Sequence, residues 1–80
     1  MKTFLMHHDP VTGTEILCGF AEDAKKLIQI SFDADPEKLD QEVLADATRK
    51  GYLYYTKLAD RIVYHSDLEK LKGELNGFNN

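Results

Sequence analysis

The spacing of hydrophobic residues changes several times along this chain, and each change predicts an element. Residues 2–8 (KTFLMHH) and 14–20 (TEILCGF) mix apolar and polar side chains at strand period. Between them lies the clearest turn in the sequence, Asp9-Pro10-Val11-Thr12-Gly13. Pro10 presets φ, the Asp9 carboxylate can accept from backbone N–H groups ahead of it, and Gly13 can take positive φ without steric cost. If Asp9 pairs with Thr14, the hairpin register follows. His7 then faces Ile16, Leu5 faces Cys18 and Thr3 faces Phe20 on one side. His8 faces Glu15, Met6 faces Leu17 and Phe4 faces Gly19 on the other.

The chain is expected to be organised around residues 24–51. Within them, residues 27–33 (LIQISFD) alternate as a third strand that completes an antiparallel meander after a polar connection at 21–24. Ile16, Cys18, Phe20, Ile28, Ile30 and Phe32 then fit one face, the expected core face. Residues 35–50 shift to helix period, with Leu39, Val43, Leu44 and Ala47 on one stripe. Asp35 suits the N-cap, Pro36 the first helical position, and Gly51 a left-handed stop. Residues 52–57 (YLYYTK) and 61–65 (RIVYH) are β-rich and predict a second hairpin turning at 58–60. Ser66, with Glu69 three residues on, reads as a capping box for a short helix whose apolar stripe is Leu68, Leu71 and Leu75. Residues 76–80 (NGFNN) read as a frayed tail. The predicted fold class is α+β: an antiparallel three-stranded meander, an amphipathic helix, a second β-hairpin and a short C-terminal helix, in one domain over residues 1–80.

Composition narrows the class of protein. The single cysteine, Cys18, excludes an internal disulfide or a multi-cysteine zinc cluster within one chain. No apolar run approaches the ~20 residues that a membrane helix needs, and the apolar stretch near the N-terminus is short for a secretory signal. The expected setting is cytoplasmic, with no membrane partner. The net charge of −4 is unevenly spread. Residues 1–48 carry four lysines against ten acidic side chains, a net −6. Residues 49–65 carry Arg49, Lys50, Lys57 and Arg61 against Asp60, a net +3. An acidic whole disfavours non-specific nucleic-acid binding, but this basic island keeps that class in view.

The candidate chemistry is sparse. His7, His8, Asp9 and His65 are the metal-ligand types present, but neighbours on a strand point to opposite faces, so His7 and His8 do not readily share an ion. Cys18 alternates with Ile16 and Phe20 and reads as a small core residue rather than a nucleophile. The five glycines are isolated, and no phosphate-loop, hydrolase, kinase or dinucleotide motif appears. The expectation is therefore no catalytic residue, no metal and no cofactor.

Two binding surfaces remain. In the register above, the second face of the meander carries Phe4, Met6, Leu17 and Leu27 beside Gln29 and Ser31. Four apolar side chains on one side of a small sheet must be covered by the hairpin or the final helix, or else be sticky. They predict a protein partner or a homodimer, and a small non-enzymatic interaction or regulatory protein as the function. The alternative is a nucleic-acid-binding module at residues 49–64. There Arg49, Lys50, Lys57 and Arg61 would track phosphates, and Tyr52 and Tyr54 would stack on bases.

Overall fold

The computed structural model describes residues 1–78. Among them four strands form one mixed sheet flanked by three α-helices, so the α+β class holds while the three-stranded meander does not. The strands are β1 (Thr3–His8), β2 (Glu15–Ala21), β3 (Tyr52–Leu58) and β4 (Arg61–His65). The sheet order is β2-β1-β3-β4, with β1 and β3 parallel and both outer pairs antiparallel.

The first hairpin turns as its residues predict. Asp9 Oδ1 accepts from Val11 N at 2.9 Å, Gly13 N donates to Asp9 O at 2.8 Å, and Gly13 sits at φ 76°. The register is as expected for His8↔Glu15, His7↔Ile16 and Met6↔Leu17. It then slips, giving Leu5↔Gly19, Phe4↔Phe20 and Thr3↔Ala21. Cys18 is the extra residue of a β-bulge, and the bulge turns every later side chain of β2 to the other face.

The expected third strand is instead helix α1 (Ala24–Phe32). Asp23 caps it, accepting from Lys26 N at 2.8 Å. Ala24, Leu27 and Ile28 make a buried stripe at helical spacing, which leaves Ile30 60% exposed. The same residues satisfy both periods over a short run, and the cap together with the buried stripe decides for helix. Asp33 ends α1 in the left-handed region at φ 51°, which a short polar side chain tolerates better than most.

The long helix expected over 35–50 is two pieces. A 3₁₀ turn (Pro36–Lys38) is capped by Asp35, and α2 (Gln41–Lys50) is capped by Asp40, whose Oδ1 accepts from Glu42 N at 3.1 Å and Val43 N at 3.3 Å. Leu39 between them is extended. The Gln41 side-chain amide bridges the break, donating to Pro36 O at 2.6 Å and Leu39 O at 2.9 Å. Gly51 closes α2 at φ 91°, with its N–H donating to Ala47 O at 2.8 Å. Thr48 ties the two helices, accepting from Ala24 N and donating to Leu44 O, both at 2.9 Å.

Helices α1 and α2 cover one face of the sheet. Leu5, Ala24, Leu27, Ile28, Leu44, Ala47 and Leu53 form the core there, with Tyr55, Tyr64 and Phe32 at its margin. Helix α3 (Leu68–Phe78) lies on the other face, where Val63, Leu71 and Leu75 make a second, smaller core with Tyr54, Leu58 and Leu68. Asp67, not Ser66, heads α3: its Oδ1 accepts from Glu69 N at 2.9 Å and its carbonyl from Leu71 N at 3.1 Å. Ser66 donates to Asp46 instead. Residues 76–78 of the expected frayed tail continue α3, and residues 79–80 lie outside the described residues.

Leu27 was expected on the open second face and is a core residue, 1% exposed, because its segment is helical. Leu27→Ala should therefore lower unfolding free energy by about 2–5 kcal/mol. Leu17→Ala, at a position 56% exposed, should cost less than about 1 kcal/mol in the same urea titrations.

Candidate interaction surface

Side chains alternate along β1 and β3, so one sheet face is set by Leu5, His7, Leu53 and Tyr55 and the other by Phe4, Met6, Tyr52 and Tyr54. Helix α3 packs on β3 and β4, and its Lys72, Leu75 and Asn76 line a hollow with His8, which leaves the β2 side of the second face, at Leu17 and Phe20, exposed. Phe4, Met6 and Leu17 lie together there, and Leu27 does not.

The bulge adds Phe20 to this face. With Cys18 extruded, Phe20 comes opposite Phe4 rather than Thr3. The rings then form a row across three strands. Phe20 to Phe4, Phe4 to Tyr52 and Tyr52 to Tyr54 are each 6.1 Å between centroids, and the last pair is stacked at 20°. Phe20 is 54% exposed and Tyr52 45%. Lys2 Nζ lies 4.3 Å above the Phe20 ring centroid, within cation–π range. Phe20 was expected on the core face with Ile16 and Cys18; all three are exposed. The isolated Gly19 was the available signal, since a glycine inside a strand pattern often marks a bulge.

The proposed basic island divides. Arg49 and Lys50 sit at the end of α2, beside the start of β3. Lys57 is five positions further along β3 from Tyr52, roughly 16 Å at about 3.3 Å per residue. Arg61 opposes Leu58 at that far end. Six residues were expected to act together: Arg49, Lys50, Tyr52, Tyr54, Lys57 and Arg61. The structure groups the first three at a shallow basin, also lined by Lys2 and Phe4, of about 270 Å³. Tyr54 joins through its stack on Tyr52, and Lys57 and Arg61 stand apart.

Arg49 and Lys50 share one carboxylate. Arg49 pairs with Asp46 Oδ1, and Lys50 Nζ lies 3.1 Å from Asp46 Oδ2. The Ser66 hydroxyl donates to the same carboxylate. That hydrogen bond first, and the Lys50 ammonium second, hold the Asp46 carboxyl down at about 2. Asp46 thus stays ionised at neutral pH and offsets one of the two cations.

The histidines do not converge. His7 points to the helix-covered face, its ring 5.1 Å from that of Tyr55. His8 is buried on the opposite face, with Nδ1 3.5 Å from Glu15 Oε2. His65 Nε2 lies 2.6 Å from Glu74 Oε2. No group of three His, Cys, Asp or Glu side chains among the described residues is placed to hold a metal ion. Cys18 is an exposed thiol, its Sγ 3.7 Å from the Tyr55 hydroxyl. Burial chiefly, and then the Cys18 contact, push Tyr55 up to about 12. No helix among the described residues is long and apolar enough to cross a membrane.

Compared with protein-family models, curated proteins and solved structures, the chain matches none of them.

The Asp46 contacts carry a pH signature. A carboxyl with a depressed folded-state pKa adds stability that is complete above its unfolded value, near 3.8, and is lost as pH falls towards about 2. Urea midpoints of the native chain should fall through that window. In Asp46→Asn, which cannot titrate there, the part of the fall due to this group should disappear.

Proposed function

We propose that this chain acts by binding another protein, without catalysing a reaction, and that the ring row beside β2 is the surface it uses. One observation carries the reading: Leu17, Phe20 and Tyr52 are about half exposed on the same sheet face and continuous with Phe4 and Met6. An exposed apolar cluster of this kind, rimmed by polar groups, is what binding surfaces present to their partners. Its composition also suits a hot spot, because aromatic side chains give large contact area at small entropic cost. The rim is cationic, from Lys2, Arg49 and Lys50, which would steer an acidic surface towards it.

Nucleic acid is the second reading, and the basin favours it, since phosphate-binding cations and stackable rings line one hollow. Against it stand the net charge of −4, the Asp46 carboxylate between Arg49 and Lys50, and the distance to Lys57 and Arg61. These leave a short track for a phosphate backbone.

Leu17→Asp and Phe20→Ala should each leave the circular dichroism spectrum and melting cooperativity unchanged and lower the affinity of an isolated protein partner about tenfold or more. Undiminished binding by both variants would remove this face from the function. Single-stranded DNA or RNA titrated at low salt should leave the amide signals of Lys50, Tyr52 and Tyr54 in place. Shifts at these residues that vanish with added salt would transfer the function to nucleic acid.

A further inference from the structure

Strand β2 is an edge strand with β1 as its one neighbour, and its sequence, EILCGFA, lacks the usual guards. Edges are commonly protected by lysine, proline or an overlying element. Here Ile16, Leu17, Cys18 and Phe20 are exposed, and the one charge is Glu15 at the strand's start. The bulge is the strand's remaining guard, and its geometry permits one self-pairing.

We infer that β2 pairs with β2 of a second copy of this chain, antiparallel about a two-fold axis, to make a continuous sheet of twice four strands. The inference rests on the reading that this face binds protein, and it names the partner. Facing side chains in an antiparallel pair must lie on the same sheet face. In a regular strand the axis would therefore pass through a residue. The bulge changes this, because Cys18 contacts Tyr55 and Gly19 opposes Leu5, so both belong to the helix-covered face. With the axis between Cys18 and Gly19, every facing pair matches. Cys18 meets Gly19 of the other copy, where there is room for the thiol, since nothing lies within 4 Å of a Cβ built on Gly19. Leu17 meets Phe20 on the open face, and Ile16 meets Ala21 on the helix-covered face.

At each end the same register sets Glu15 of one copy opposite Glu22 of the other, a like-charge pair that opposes association. Lys2 lies over Phe20, and Glu15 sits two residues before Leu17 on the same face. Lys2, reaching over Phe20 beside Glu22, brings a cation to each of these pairs and offsets part of the repulsion. Only one strand and the rings beside it are covered, so the interface is small, below about 1,200 Å² in total, and dimerisation should depend on concentration.

Sedimentation equilibrium across a wide concentration range tests the proposal. The mass should rise from 9.1 kDa towards twice that value. Leu17→Lys, which places a guard charge on the edge, should raise the dissociation constant about tenfold or more. Lys2→Glu should weaken the dimer by roughly threefold, and adding Glu15→Lys to it should restore association. Diamide should cross-link native chains through Cys18 near the axis, within disulfide reach, and should fail with Leu17→Lys. Circular dichroism confirms that each variant is folded. A chain that stays at 9.1 kDa throughout, or a dimer indifferent to Leu17→Lys, overturns the self-pairing. A monomer that still binds a different protein through Leu17 and Phe20 overturns the second copy alone and leaves the proposed function standing. A monomer whose protein binding ignores both residues removes both.

Discussion

The parallel ladder between β1 and β3 is the pairing on which the other contacts depend. Parallel neighbours cannot be joined by a tight turn, so the chain between them must cross over the sheet. Here α1, the 3₁₀ turn and α2 lie in that crossover, after β2 has turned back beside β1. The crossover helices bury one face, with Leu5 and Leu53 side by side at its centre, and Leu27, Ile28, Leu44 and Ala47 close over them. Helix α3, which follows β4 on the far side, is left with the other face and packs on β3 and β4. The openness of this face at β2 is thus a consequence of strand order. The last helix is tethered to the strand furthest from it.

Local chemistry was legible wherever a single short-range rule decided the backbone. The Asp9–Gly13 turn, the Gly51 stop, the β3–β4 hairpin and the basic end of α2 all formed as their residues imply. What failed needed tertiary information. Residues 27–32 satisfy period two through Ile28, Ile30 and Phe32, and period 3.6 through Leu27, Ile28 and, with Ala24, the capped turn before them. Two β-branched residues tilt a propensity argument towards strand. Burial of Ala24 and Leu27 against α2, with Thr48 holding the first amide of α1, decides for helix. Asp40, inside the single helix expected over 35–50, is itself an N-cap, as an aspartate followed by a good helix former can be.

The surface was half legible. Phe4, Met6 and Leu17 could be grouped by alternation alone, because the register holds from the turn as far as the bulge. Beyond it, a one-residue slip exchanges faces. Phe20 therefore moved from the expected core to the open face, and Leu27 moved from the open face to the core with its helix. The tyrosines could not be placed from the chain, because parallel pairing of β3 with β1 is a long-range choice that no local pattern announces.

The bulge is the feature that links the fold to the exposed row of rings. A regular β2 would put Phe20 against the helix-covered face and leave Leu17 as the one large apolar side chain of that strand outside. With Cys18 extruded, Phe20 instead extends the row of Phe4, Tyr52 and Tyr54 to the sheet's edge, where Lys2 partly shields it. Leaving Phe20 half exposed forgoes part of the roughly 1.5–3 kcal/mol that full burial of such a side chain contributes. In a chain of 80 residues that loss is considerable against a total stability of about 5–15 kcal/mol. Phe20 keeps its contacts with Phe4 and Lys2 on this face, and the other face offers β2 little cover, since Ile16 and Cys18 are exposed there. A chain that completes its burial against a partner recovers that free energy in the complex.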